Sequence, residues 1–155
     1  MNVQQKQKQK GFTIIEVVLV LAIAGLIFLM VFIALPALQR SQRDTQRKQD
    51  LSRSLTKVNE YQSNNRNALP ASNNAAWNKL ADDYLRVSGD TFTDPTRGDY
   101  TFNVTTADPT YNNDTAVITV AVGKSCNGEG LSDAGSRTVA LRMKLEGGGT
   151  ACQNN

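Results

Sequence analysis

Between Val17 and Leu38 the chain carries no charge, and residues 12–38 are almost all apolar. No other feature limits so strongly what a 155-residue chain can fold into. At about 1.5 Å rise per residue, the uncharged run makes roughly 33 Å of helix, enough to cross a hydrocarbon core of about 30 Å. It is too long for the apolar region of an ordinary secretory signal, and no A-x-A-like cleavage site follows it. The preceding residues, MNVQQKQKQK, are polar and hold Lys6, Lys8 and Lys10 with no acid. Lysines on that side predict a cytoplasmic N-terminus, so the C-terminal part faces outwards.

Glu16 interrupts this pattern. A carboxylate within an apolar run costs roughly 2.5–3.5 kcal/mol or more on insertion, so it calls for a partner or a function. The plainer reading is a glutamate at the interface, reaching towards headgroups.

Lys10-Gly11-Phe12-Thr13-Ile14-Ile15-Glu16 and the apolar run after it resemble the class III signal of type IV prepilins and pseudopilins. The likeness covers residues 10–38. It implies a leader at 1–11, cut by a prepilin peptidase between Gly11 and Phe12, with Phe12 then N-methylated. A small Gly suits a peptidase that reads extended backbone. The resemblance also implies that Glu16 meets the new N-terminal amine of a neighbouring subunit and sets register in a filament. It implies further that residues 12–38 form the transmembrane and filament-core helix, and that 39–155 form an extracytoplasmic pilin domain. The partners it implies are further copies of the chain in a helical filament, an assembly platform and minor pilins. The chain would be a single-pass cytoplasmic-membrane protein before assembly and a surface filament afterwards.

Many members of that family melt a stretch of this helix, between a Gly matching Gly25 and a proline that would fall at residue 33. Here residue 33 is Ile and the proline stands at 36. Gly lowers helix propensity by about 1 kcal/mol and Pro by about 3, so the stretch between Gly25 and Pro36 is open either to loosening or to a simple kink at Pro36.

Composition narrows the function. The formal charge of +3 invites a nucleic-acid reading, but three of the 17 basic residues lie in the leader, and removing it leaves 14 basic against 14 acidic residues. There is no His, which excludes Ser-His-Asp and Cys-His catalysis and the usual zinc sites. Neither a cofactor, a metal nor a catalytic site is expected. In an exported domain the even pair Cys126 and Cys152 reads as a disulfide in preference to two reactive thiols. Its position resembles the C-terminal disulfide loop of many pilins.

Residues 39–66 continue as a polar helix. Leu51, Leu55, Val58 and Gln62 fall at i, i+4, i+7 and i+11, and the first three make a narrow apolar stripe. The part with Arg40, Arg43, Arg47 and Lys48 has almost no apolar face, so it is either solvated or buried against neighbouring subunits. Contact of this cluster with nucleic acid is a weaker reading, since Asp44 and Asp50 interleave and aromatics are missing. Residues 64–74 form a loop, and Asn73-Asn74 open a short helix with Ala76, Trp77, Leu80, Ala81 and Tyr84 on one face. Trp77 is read as a core anchor.

Beyond Ser88 the period changes to two. Tyr100, Phe102 and Val104 alternate, as do Ile118, Val120 and Val122, and Val139, Leu141, Met143 and Leu145. Segments 107–114 and 125–136 read as turns. The expected fold is α+β and pilin-like: a long N-terminal helix, half transmembrane and half amphipathic, packed on a three- or four-stranded antiparallel meander with one apolar face. The Asp94–Tyr100 segment partly resembles the Asp-Pro loop of pseudopilins. It is read as a proline-glycine turn into a strand, with calcium ligation by Asp90, Asp94 and Asp99 as the alternative. Three functions remain open: a pilus subunit, a pseudopilin of a secretion or competence system, and a solitary anchored binding domain.

Overall fold

The computed structural model describes residues 11–87, 91–107 and 115–155. The leader residues 1–10, Asp90 and most of the turn expected at 107–114 therefore lie outside the described residues. Helix α1 runs over Ile14–Asn64, and Gly25 and Pro36 are both helical within it. Pro36 has no N–H, so the Phe32 carbonyl loses its partner four residues on. The chain divides into two compact units, Met1–Gln39 and Arg40–Asn155.

The described residues of the first unit, 11–39, lead into and form a helix with no buried face. Its large apolar side chains, from Phe12 at 89% exposure to Leu38 at 56%, all stand in the open. This is the one described helix long and apolar enough to cross a membrane.

The second unit is built on the C-terminal part of α1. Its buried positions are Asp44, Arg47, Leu51, Ser54, Val58 and Gln62, one stripe at spacings of three and four. A second helix, α2 (Asn74–Tyr84), starts where expected, with the Asn73 side chain accepting the Ala76 N–H at 2.9 Å. It buries Trp77, Leu80 and Ala81. Trp77 is fully buried in the core with Phe92, Tyr100 and Phe102.

Eight strands follow among the described residues: β1 (Thr93–Asp94), β2 (Gly98–Asp99), β3 (Thr101–Val104), β4 (Val117–Val122), β5 (Lys124–Asn127), β6 (Gly130–Asp133), β7 (Val139–Lys144) and β8 (Thr150–Asn154). The main sheet has the order β3-β4-β7-β8, while β1-β2 and β5-β6 are separate two-stranded ribbons. The α+β class holds, but the sheet is mixed. β3 runs parallel to β4, with Phe102 opposite Ile118, whereas β4-β7 and β7-β8 are antiparallel. A parallel pair needs a crossover of a dozen or more residues, and the connection 105–116 meets that length.

Two further expectations are corrected. Segment 125–136 is the β5-β6 hairpin, not a turn, and the strand at 139–145 is followed by β8. Moreover, the sheet has no single apolar face. Ile118, Val120, Leu141 and Met143 are fully buried, and so, on the other face, are Thr119, Ala121, Ala140 and Arg142. Arg142 donates to the Glu129 carbonyl in the β5-β6 turn at 2.7 Å, so that ribbon covers the second face. The open edge of β3 is closed by amide side chains of α2. Asn78 exchanges two hydrogen bonds with the backbone of Phe102, and Asn74 accepts from Val104 N–H.

Candidate functional site

The processing and assembly residues lie in the first unit. Gly11 and Phe12 precede the helix in irregular, exposed backbone, and nothing lies within 4 Å of where a Gly11 side chain would be. Thr13 is the residue before the helix and Glu16 is its third residue. The Thr13 N–H donates to Glu16 Oε2 at 2.9 Å, and the Thr13 hydroxyl donates to the same oxygen at 2.7 Å. The Glu16 N–H returns to Thr13 Oγ1 at 3.4 Å. This is a capping box, in which side chains satisfy N–H groups that a helix start leaves without partners. Glu16 therefore has a partner within its own protomer, which neither the neighbouring-amine reading nor the interface reading supplied. The signal was available as Thr-x-x-Glu immediately before an apolar run. The second carboxylate oxygen, Oε1, has no hydrogen bond among the described residues.

In the second unit the basic cluster separates into unlike members. Arg40 is exposed and lies 4.0 Å from Glu146, and Lys48 is exposed. Arg43 makes a two-point pair with Glu146 at 2.6 and 2.7 Å. Arg47 is fully buried, and this corrects both readings of the cluster: its partners belong to its own chain. It donates to Asp94 at 2.6 and 3.1 Å, to Asp44 at 2.9 Å, to Thr96 at 3.0 Å and to Glu146 at 3.2 Å. Asp44 in turn accepts the backbone N–H groups of Glu146 and Gly147 at 2.8 and 2.7 Å. The glycine-rich turn 147–149 is thus held by the helix.

Burial alone would push the Asp94 carboxyl up. Hydrogen bonds from Arg47 and Thr96 overturn that effect and bring it down to about 2. Burial likewise works against the charge on Arg47, but its hydrogen bonds to Asp94 and Asp44 prevail and hold it protonated. Hydrogen bonding from Arg43 lowers Glu146 to about 2. Asp50, pushed up by burial, accepts the hydroxyl of the fully buried Tyr100 at 3.1 Å.

The Asp94 segment is a turn into a strand, as expected. Asp94 Oδ1 accepts the N–H groups of Thr96 and Arg97 at 2.9 and 3.0 Å and the Thr96 hydroxyl at 2.8 Å. Of the three carboxylates considered for calcium, Asp94 is committed to Arg47 and this turn, Asp99 is exposed, and Asp90 lies outside the described residues. Among the described residues no group of three acids, cysteines or histidines is placed to hold a metal.

Cys126 on β5 and Cys152 on β8 are joined in a disulfide, with Cα atoms 5.8 Å apart. The bond ties the β5-β6 ribbon to the outer strand of the sheet. Asn154 reinforces it by accepting the Cys126 N–H at 3.1 Å.

A long helix with an exposed apolar N-terminal unit, continued by a helix packed on a small sheet, is the α+β architecture of pilin-like proteins. Residues 6–32 match the prokaryotic N-terminal methylation motif. The chain carries the class III prepilin signal of type IV pilins and pseudopilins, and that signal implies processing by a prepilin peptidase. No curated protein and no solved structure matches the chain.

Proposed function

We propose that this chain is a structural, non-enzymatic subunit of a type IV pilus. The leader 1–11 is removed, Phe12 is N-methylated, and the subunits polymerise through the helix 12–38. The observation that carries this reading is the methylation motif joined to an apolar helix that is exposed on every side and holds one carboxylate, Glu16. An apolar surface of that extent needs lipid before assembly and neighbouring helices afterwards. The unbonded Glu16 oxygen leaves room for a neighbour's amine beside the Thr13 cap. The Thr13 cap would be served as well by a Gln, so it is the charge of Glu16, beyond its capping role, that fits a partner in a neighbouring subunit. The partial Asp-Pro likeness at Asp94–Tyr100 favours a second reading, a pseudopilin in a short trans-envelope filament.

Mass spectrometry of filaments sheared from cells tests the proposal. The expected result is a chain beginning at N-methylated Phe12 and abundant in long surface filaments. Finding the processed chain only in a secretion complex would replace the pilus reading by the pseudopilin one. Finding an unprocessed N-terminus in assembled material would overturn both.

A further inference from the structure

The methylation motif covers the Gly11–Phe12 bond, and only Phe12 and Thr13 separate that bond from Ile14, the first residue of α1. Propensity gives the helix little reason to stop there. Residues 4–10 are all Gln or Lys, which are good helix formers, and Gly11 alone among residues 4–11 is a poor one. Something at the start of α1 has to set its boundary.

The backbone hydrogen bonds show what does. In a helix extended back by one residue, the Glu16 N–H would bond the Phe12 carbonyl, and by two, the Ile15 N–H would bond the Gly11 carbonyl. Here the Glu16 N–H is turned to Thr13 Oγ1 at 3.4 Å, and the Thr13 carbonyl accepts from the Val17 N–H at 3.4 Å. The Thr13 hydroxyl is held in that place by donating to Glu16 Oε2 at 2.7 Å. Thr13 therefore competes directly with the Phe12 carbonyl for the N–H that would lengthen the helix. Among the described residues no hydrogen bond reaches the Gly11 carbonyl, Phe12 is exposed, and the space around Gly11 is open.

This geometry bears on the cutting of that bond. Hydrolysis adds water across Gly11–Phe12, leaving a carboxylate on Gly11 and an amine on Phe12. Peptidases act on exposed backbone that is free of secondary structure, and a helical segment must open before it is cut. We propose that Thr13 is a positioning residue for leader removal: its hydroxyl keeps the start of α1 clear of the Gly11–Phe12 bond, so that the bond is presented to the peptidase already open. The proposal rests on the leader removal contained in the function proposed above. It assigns the device to the substrate chain, through a side chain that takes no part in the chemistry.

The test uses the full chain in nonionic detergent with the prepilin peptidase of the cells that make it. Leader release is followed by mass spectrometry to give kcat/KM for the wild type, Thr13→Ser, Thr13→Asn and Thr13→Val. Ser and Asn both cap helices, Asn without a hydroxyl, whereas Val keeps the shape of Thr and cannot cap. The Ser and Asn variants are expected to stay within about two-fold of the wild type. Thr13→Val is expected to fall about five-fold, the rate equivalent of a lost cap of about 1 kcal/mol. In the same variant alone, the ¹³Cα resonance of uncut Phe12 should move towards helical values. Cleavage of Thr13→Val at the wild-type rate overturns the proposal, as does slow cleavage without movement of that resonance. A normal Ser variant beside an Asn variant as slow as Val also overturns it, and assigns the hydroxyl to direct contact with the peptidase. A wild-type chain left intact by the peptidase overturns leader removal itself, a result distinct from any difference between variants.

Discussion

Replacing Arg47 by Met tests whether the middle of α1 is held by charge or only by its apolar stripe. Met keeps much of the volume and removes every hydrogen bond to Asp94, Asp44, Thr96 and Glu146. Breaking a buried pair by removing one partner costs about 3–5 kcal/mol, because the remaining charge stays buried without compensation. Here the most deeply buried of the charges left behind is Asp94, whose side chain is fully buried. It keeps the Thr96 and Arg97 N–H groups and the Thr96 hydroxyl, so the lower end of that range applies, about 3 kcal/mol. For a unit the size of Arg40–Asn155, that loss lowers the melting temperature by roughly 12 °C.

Acid supplies a second readout. Asp94 is depressed from an ordinary 3.8 to about 2. A carboxylate depressed in the folded state stabilises the fold above its unfolded pKa and loses that contribution as pH falls through its folded value. The contribution is about 2 kcal/mol, present above about pH 4 and gone below about pH 2. Without Arg47 most of the depression disappears, so the variant is destabilised at pH 7 and loses less on going from pH 4 to pH 2. Arg43 still holds Glu146 in both proteins, so titration of that acid largely cancels in the comparison. The assay is thermal unfolding of the full chain in nonionic detergent across this pH range. Arg47→Met/Asp94→Leu is expected to recover part of the loss, because the most deeply buried carboxylate is gone while Asp44 keeps the Glu146 and Gly147 N–H groups. A cost below about 1 kcal/mol for Arg47→Met at pH 7, with an unchanged acid profile, would refute the reasoning and leave a solvated ion pair of ordinary weakness.

Three further outcomes follow from the same geometry. Replacing Cys126 and Cys152 together by Ser should cost about 3.5 kcal/mol in denaturant unfolding, given their separation of 26 residues; a cost under 1 kcal/mol would remove the disulfide as a structural tie. Glu16→Gln keeps the capping box, which accepts Gln as readily as Glu, but removes the charge. Circular dichroism of the detergent-solubilised variant should be unchanged while filament yield falls, and normal filament yield would show that the cap alone is what the residue supplies. Asn73→Ala should cost about 1 kcal/mol through the lost cap of α2, read from the same unfolding curves; no measurable change would mean that the cap is replaced by solvent.

What could be read from the chain alone was what is both local and apolar. The apolar run, the helix opened by Asn73, the core role of Trp77 and the alternating positions of β3, β4 and β7 are all short-range patterns. The β5-β6 hairpin was missed because Gly128, Gly130, Ser125 and Ser132 carry turn propensity, and a covalent bond with coverage of the sheet's second face outweighs it. Thr13 was missed for a different reason: its signature is local, but the glutamate it pairs with already had an intermolecular explanation. The stalk is the instructive case. Hydropathy found Leu51, Leu55 and Val58, yet the buried stripe continues through polar residues to Asp44 at one end and Gln62 at the other. Hydropathy counts such residues as solvated, and only partners far along the chain reverse that. Asp94 stands 47 residues from Arg47, Glu146 stands 99, and the Arg137 carbonyl that accepts from Gln62 stands 75 away. Apolar contacts alone would tolerate sliding α1 along the sheet, since one leucine packs much as another does. A slide of one turn would leave Arg47, Asp44 and Asp94 buried without partners, at several kcal/mol, so these charges select the register that the leucines leave open.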